Sequence, residues 1–189
     1  MSWNEVGSDA VETKKVKFLK LPAGITNLRI LDQVPYSRWQ HWIPQAKRSV
    51  TCPGKGCPVC ALNNIAKANG EDAPYNNRKT HSMNVLNRTT GEVELMEQGN
   101  NFFEELRIIL DDNGDVRDYD IKVRRTGMDK STKYRIDALA KAPITDEEAA
   151  LELTNIDEYF GHPTCEQVTR LLNGEDAKEV FKSETIELA

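Results

Sequence analysis

Short runs in which apolar and polar residues alternate predict a protein built mainly from β-strands. Alternation places successive side chains on opposite faces of a sheet. The predicted strands cover residues 16–19, 27–31, 36–43, 80–86, 91–96, 119–124 and 133–139. Apolar residues at helical spacing predict helices over 59–67 and 101–110. Six or seven short strands with helices between them favour a small barrel such as the OB-fold over a doubly wound sheet.

The pattern becomes helical beyond a boundary near residues 141–143. Two capping boxes predict helices that end near residues 153 and 172, and they are formed by Thr145 with Glu148 and by Thr164 with Gln167. Residues 174–189 are expected to form a frayed helix and a free end. The predicted domains are an N-terminal arm (1–15), an OB-fold-like domain (16–141) and an acidic, helical C-terminal segment (142–189).

Charge is distributed unevenly between these regions. The whole chain carries a net charge of −5, but residues 142–189 carry −9 and residues 1–141 carry +4. A basic body with an acidic end favours a polyanionic partner for the body and basic protein partners for the end. A solvated acidic helix with no binding role would produce the same net charges, so charge alone does not distinguish that interpretation from a functional one.

The composition excludes several classes of protein. With 39% hydrophobic and 29% charged residues among 189, the chain is not disordered throughout, not collagen-like and not a coiled coil. No apolar run reaches the roughly 18–20 residues that a membrane helix needs. Residues 1–5 lack the basic-then-apolar pattern of a signal peptide. We therefore expect a cytoplasmic protein, in a compartment that keeps thiols reduced.

Three cysteines within nine residues predict a structural zinc site. Cys52, Cys57 and Cys60 are interspersed with proline and glycine, which favour the sharp turns of a zinc knuckle. A Cys-x2-Cys pair directs two thiolates to one point, as tetrahedral zinc requires. His41, eleven residues before Cys52, is the first candidate for the fourth ligand, and His81 and Cys165 are alternatives. The predicted zinc subdomain spans about residues 41–80 and holds one zinc per chain.

Two other functions of Cys57 and Cys60 are disfavoured by the surrounding sequence. A thioredoxin-like redox pair would lie in a βαβ pattern, without a third cysteine nearby. A zinc deaminase would need a histidine followed two residues later by glutamate, and none of the three histidines has one. Three thiolates and a histidine leave no open position for a substrate, so we do not expect an enzyme. A zinc-ribbon module for protein interaction or transcription is the main alternative, although it would usually carry a second Cys-x2-Cys pair.

Aromatic and basic residues are interleaved around the cysteines, and further basic residues cluster near residues 122–135. Such a mixture holds single-stranded nucleic acid, because bases stack on aromatic rings and cations follow the phosphates, with little dependence on sequence. In residues 36–43, alternation predicts that Tyr36, Arg38 and Trp42 point outward and that Trp39 and Ile43 point to the core. The residues predicted to bind single-stranded DNA are Tyr36, Arg38, Trp42, Lys47, Arg48, Lys55, Tyr75, Arg78, Lys79, Lys122, Arg124, Arg125 and Lys133.

The order of these residues resembles that of the zinc-containing single-stranded DNA-binding, or helix-destabilising, replication proteins of tailed phages. In that family a histidine, a cysteine and a Cys-x2-Cys pair occur in the order of His41, Cys52, Cys57 and Cys60. A helix and a basic segment that leads into a strand follow in the family. Here the matching residues are Tyr75, Arg78-Lys79-Thr80 and the strand with Asn84 and Leu86. A later Gly-x-Val and a glycine before an aromatic helix also match the family, at Gly91-Glu92-Val93 and Gly99 to Phe103. The resemblance covers about residues 28–140.

This resemblance has implications for fold, activity and partners. It implies an OB-fold with an inserted zinc subdomain and an electropositive cleft for single-stranded DNA. It implies a role in DNA replication, recombination or repair in the cytoplasm of an infected bacterial host. It also implies that the acidic C-terminal segment contacts other replication proteins, such as a polymerase, a primase or helicase loader, or a recombinase.

Overall fold

The computed structural model describes residues 16–128 and 131–182, in which seven antiparallel strands form one open sheet. The predicted arm 1–15 lies outside the described residues. The strands lie in the order β3-β2-β4-β1-β6-β7, and β5 pairs with β4 outside this path. They are β1 (Gly24–Ile30), β2 (Tyr36–Ile43), β3 (Arg48–Thr51), β4 (Asn77–Asn87), β5 (Glu92–Gln98), β6 (Tyr119–Thr126) and β7 (Lys133–Lys141).

The mainly β character predicted from alternation is confirmed, whereas the closed barrel is not. The described strands run from β3 at one edge of the sheet to β7 at the other, and these two strands do not pair. Each strand pairing within the sheet is antiparallel. The architecture is therefore an open antiparallel sheet with helices.

Strand β4 connects the two halves of the sheet, because it has eleven residues and three partners. Residues 77–82 pair with β2, and residues 85–87 pair with β1. Residues 81–87 also pair with β5, which therefore occupies the opposite edge of β4. As a result, β2 and β1 follow one another along one edge of β4, and β6 lies toward the end of the sheet away from β2.

The main hydrophobic core lies on one face of the sheet, against helix α2 (Asn100–Asn113). Phe102 and Leu106 are four residues apart on one side of this helix, and both are buried. They belong to the same cluster as Met83, Val85 and Ile121 of the central strands. This is the face of the sheet that alternation in the sequence assigns to the core.

Most predicted elements are present, and several differ from the prediction. Helices α1 (Pro58–Ala68) and α2 confirm the two helices predicted within the body. Residues 16–19 form only an isolated bridge, between Phe18 and Leu95, instead of a strand. The pattern does not predict β3, because its four residues contain a single apolar side chain, Val50. The helix that begins after Thr145 ends at Ala149 and not near residue 153.

The first part of the C-terminal segment crosses the face of the sheet opposite α2. The backbone of Thr154 makes two hydrogen bonds with the buried side chain of Asn84, of 2.9 and 3.1 Å. Arg88 forms an ion pair with Glu148. Both predicted capping boxes are present. The segment contains α3 (Asp146–Ala149), α4 (Ile156–Phe160), α5 (Cys165–Leu172) and α6 (Ala177–Val180).

A second hydrophobic cluster joins the cysteine-rich region to α5 and α6. The expectation of a free end beyond residue 173 is wrong for α6, because Val180 is only 2% exposed in this cluster. No helix in the described part of the chain is long and apolar enough to cross a membrane. The buried members of this second cluster are Ile43, Val50, Cys57, Val59, Val168, Leu171 and Val180.

Candidate metal centre

The side chains of His41, Cys52, Cys57 and Cys60 converge on one point. Their ligand atoms all lie within 4.8 Å of one another. The Sγ atoms of Cys52 and Cys60 are 3.7 Å apart. Nε2 of His41 lies 3.4 Å from Sγ of Cys57 and 3.6 Å from Sγ of Cys60. The fold therefore brings together the four residues that cysteine spacing selected.

The hairpin of β2 and β3 positions His41 and Cys52. His41 and Ile43 alternate on one face of β2, and both are buried. Directly after β3, the backbone N–H of Cys52 donates to the carbonyl oxygen of Trp39, with an N···O distance of 2.8 Å. This hydrogen bond continues the strand pairing past β3 and holds Cys52 next to the strand that carries His41.

A short loop then returns the chain to the same point. Gly54 and Gly56 have φ angles of 82° and 81°, a left-handed conformation that residues with a Cβ rarely adopt. Cys57 precedes α1, and Pro58 occupies the first helical turn, where a missing N–H costs nothing. Cys60 lies in the same turn. The glycines and the proline therefore explain how Cys57 and Cys60 both reach the ligand group.

The distances and donor types fit a tetrahedral ion. For zinc, ligand bonds of about 2.3 Å to sulfur and about 2.0–2.1 Å to nitrogen place neighbouring ligand atoms roughly 3.6–3.8 Å apart. Three of the separations, 3.4, 3.6 and 3.7 Å, are close to these values, and all four ligand atoms lie within 4.8 Å of one another. Thiolate and imidazole donors favour zinc over magnesium or calcium. Four protein ligands would fill a tetrahedral site, which is the pattern of structural metal sites.

Burial controls the acidity of the ligands. Desolvation, followed by hydrogen bonding and repulsion among the neighbouring sulfurs, raises the pKa of Cys60 to about 12. Burial also raises the pKa of Cys57 and lowers the pKa of His41, which is 1% exposed. The imidazole is therefore neutral and able to ligate. The thiols of Cys57 and Cys60, whose pKa values are raised, need a cation to become thiolates near neutral pH, so metal binding would release protons.

The two alternative ligands lie outside the group. The ring nitrogens of His81 hydrogen-bond with Ser37 (2.6 Å) and Asn100 (2.9 Å). Cys165 is the first residue of α5, and its Sγ lies 3.7 Å from the carbonyl oxygen of Lys55. Of the candidates considered from sequence, His41 is the one that completes the group.

The C-terminal segment covers part of the β2 face that alternation assigned to solvent. Arg38 is buried and pairs with Glu97 at 2.7 Å. Its guanidinium carbon lies 3.3 Å from the ring centre of Phe160. Tyr36 stacks on the same ring, with 6.3 Å between centroids and 11° between planes. Trp42 shares this face and remains exposed. Tyr36 and Arg38 are thus engaged within the protein, because a segment distant in sequence packs over them.

Trp39 is 51% exposed, so the prediction that it points to the core is wrong. It lies on the α2 side of the sheet, between Ser37 and His41. Helix α2 reaches His81, the cross-strand neighbour of Ser37, and the metal site begins at His41. Trp39 lies in the gap between them, and its own cross-strand neighbour is Lys79. Alternation predicts which side of the sheet a residue faces, but it does not predict how far a helix covers that side. The sequence pattern therefore could not predict that Trp39 is exposed.

The predicted basic residues form two groups at different ends of the sheet. Arg124 pairs with Ile25, three residues before Leu28, which pairs with the last residue of β4, Asn87. The group that contains Arg124 therefore lies beyond the end of β4 that is remote from β2. That group is Lys122, Arg124, Arg125 and Lys133, whereas the group at or near the metal centre is Lys47, Arg48, Lys55, Arg78 and Lys79.

Comparison with known proteins adds no relative. No family model matches this chain, and no curated protein or solved structure is significantly similar to it. The resemblance to phage DNA-binding proteins therefore stays a prediction. The metal centre and the exposed Trp39 beside Lys79 are the features on which a functional proposal can be based.

Proposed function

We propose that this chain is a zinc-containing protein that binds single-stranded DNA without sequence preference. The observation that carries the proposal is the exposed Trp39 beside Lys79, next to the candidate metal centre. A half-exposed indole offers a wide, flat apolar surface with a polar N–H at one edge. A base can stack on the indole, while the lysine ammonium pairs with a neighbouring phosphate.

Zinc has a structural role in this proposal. His41 follows Trp39 by two residues on the same face of β2, and Cys52 hydrogen-bonds to the carbonyl oxygen of Trp39. The ligand loop therefore fixes the backbone that carries the stacking residue. An unfolded chain has no preformed metal site, so metal binding contributes directly to the free energy of folding. Removal of zinc should weaken DNA binding through loss of this shape.

An OB-fold-like organisation of residues 16–141 is part of the same proposal. OB-folds are partly open barrels of short antiparallel strands that bind oligonucleotides on a strand face. The short strands, their antiparallel pairing and the exposed Ser37 and Trp39 on one face of β2 support this assignment. We place the protein in phage DNA replication or recombination, in the cytoplasm of the bacterial host. The acidic C-terminal segment contacts a polymerase, a primase or helicase loader, or a recombinase in this proposal.

Metal analysis of freshly purified protein should find one zinc per chain. His41→Ala should lose the metal, because it removes one of the four converging ligands. Cys165→Ser is the matched control and should retain zinc, because its thiol lies outside the ligand group. Loss of zinc in Cys165→Ser with retention in His41→Ala would reverse the ligand assignment. Protein without zinc would refute the metal role.

Trp39→Ala should weaken binding of a labelled single-stranded oligonucleotide by about 1–3 kcal/mol, because one stacked base is lost. The slope of log K against log salt should not change. Lys79→Ala should instead reduce that slope by less than about one unit. Fluorescence anisotropy titrations over a range of salt concentrations measure both effects. Trp42→Ala is the matched control, since Trp42 lies on the same strand with 45% exposure but on the opposite face. The sequence predicts Trp42 as a DNA contact, but the proposed interface is on the face of Trp39, so this variant should retain affinity.

Duplex DNA and RNA of the same length complete the titration. Single-stranded DNA should bind more tightly than duplex, because paired bases are not free to stack on the protein. Equal affinities would refute the stacking mechanism. An affinity lost in Trp42→Ala and kept in Trp39→Ala would place the interface on the opposite face. No binding to any nucleic acid would favour the protein-interaction module, with the exposed Leu62 and Ile65 of α1 as its candidate surface.

A further inference from the structure

Helices α5 and α6 are attached to the body through the metal-binding region and not through the main core. Val168 and Leu171 of α5 are buried in the second cluster, as is Val180 of α6. Within the described residues, the main core contains no member of either helix. The surface that receives them consists of Ile43, Val50, Cys57 and Val59. We call residues 41–68, which contain the four ligands, β3 and α1, the metal module.

Contacts outside the second cluster also connect these helices to the metal module. At the start of α5, Sγ of Cys165 lies beside the carbonyl oxygen of Lys55 and 3.6 Å from the position that a Cβ on Gly56 would take. After α6, the ring centre of Phe181 lies 5.1 Å from the guanidinium carbon of Arg48, within the range of a cation–π interaction. The beginning of α5 and the end of α6 therefore both contact residues 48–56.

The shape of this receiving surface depends on the ligand group. Cys57 is a ligand and a buried member of the cluster, and Cys52 and Cys60 pack against the cluster. The loop that carries them contains two left-handed glycines. Glycine has more conformational freedom to lose than any other residue, so such a loop is costly to hold in one conformation. Thiols form only weak hydrogen bonds, which do not replace four metal–ligand bonds.

We infer that the metal-organised loop is the dock for α5 and α6, and that these helices leave the body when the metal is removed. The inference rests on the metal site of the proposed function. The preceding part of the segment stays attached, because Thr154 and Glu148 bind Asn84 and Arg88 of the sheet and not the metal module. Removal of the metal therefore releases residues 161–182 and uncovers the apolar surface around Val59.

Hydrogen exchange measured by mass spectrometry tests this release on the full chain. The zinc-bound protein is compared with protein stripped by a chelator and with stripped protein to which zinc is returned. Peptides from α5 and α6 should exchange about tenfold faster or more without zinc and recover when it is returned, because exchange reports local opening. Peptides from β6 and β7 serve as the internal control and should not change.

Each outcome separates this inference from the proposed metal role. A chain that binds zinc but shows the same α5 exchange after stripping would overturn the inference and leave the metal site in place. Equal acceleration in β6 and β7 would also overturn it, because that result describes global unfolding. A chain that never binds zinc would refute both the metal site and the inference that it docks α5 and α6.

The same coupling should operate in reverse, because linkage between two equilibria is reciprocal. Leu171→Ala loosens the docked helices and should weaken zinc binding about tenfold in competition with a chromophoric chelator, a common size for such coupling. Ile156→Ala is the matched control, because Ile156 is also buried in the C-terminal segment but lies outside the second cluster. Its zinc affinity should be unchanged. Unchanged zinc affinity in Leu171→Ala would contradict the inference without any need to strip the metal.

Discussion

At the scale of single residues, Arg29 connects three parts of the chain. Its guanidinium is 2% exposed, pairs with Asp120, and donates to the backbone carbonyl oxygens of Arg117 and Ala142, at 2.9 and 2.8 Å. A buried charge without partners would cost several kcal/mol. Burial alone would raise the pKa of Asp120, but hydrogen bonds from Arg88 and Arg29 outweigh it, and the pKa is lowered.

This lowered pKa makes stability depend on pH. The contribution of ionised Asp120 is fully present above its unfolded pKa of about 3.9, and it is lost as pH falls through the lower folded value. Asp120→Asn should therefore be less stable than the unaltered chain near neutral pH, by about 1–3 kcal/mol. Urea unfolding at acidic and neutral pH measures the difference in free energy of unfolding between the two chains. That difference should become smaller below about pH 4. A difference that stays constant with pH would exclude this explanation.

At the scale of elements, the sequence was sufficient to predict a strand or helix where one face of that element packs against the main core. Alternation in β1, β4 and β6 and the helical spacing of α2 are direct consequences of that burial. The ligands were predictable because three of them lie within nine residues. The exposure of Trp39 and the burial of Arg38 were not predictable. They depend on where α2 begins and on Phe160, which is distant in sequence.

The loop between Cys52 and Cys57 allows a test at this scale. Gly54 has a φ of 82° and nothing within 4 Å of an added Cβ, so Gly54→Ala introduces backbone strain of about 1–2 kcal/mol without a clash. Zinc affinity should fall about tenfold, because the strain opposes the ligating conformation. Gly91→Ala, with a φ of 71° and equal space, should lower the melting temperature similarly and keep zinc affinity. Chelator competition and thermal melting distinguish the two, and equal zinc losses would contradict this explanation.

At the scale of the whole molecule, stability should depend on where the chain is shortened. Truncation after Asn173 removes α6 and Val180, which should lower the free energy of unfolding by about 1.5–3 kcal/mol. Truncation after Lys182 retains every described member of the second cluster and is the reference for this comparison. Urea denaturation of both truncated chains measures the effect. Equal stability of the two would mean that α6 contributes nothing to the fold.

The pairing of β1 with β6 also determines when the protein can fold during synthesis. Arg29 and Asp120 are 91 residues apart, and a ribosome that adds about 5–20 residues per second needs about 5–20 s for that length. β4 becomes available as a partner of β1 only after residue 87 has been made, and until β6 follows the other edge of β1 has no strand to pair with. Unpaired edges are templates for association with other chains. The newly made protein should therefore be most prone to aggregate, and most dependent on chaperones, before residue 126 has left the ribosome.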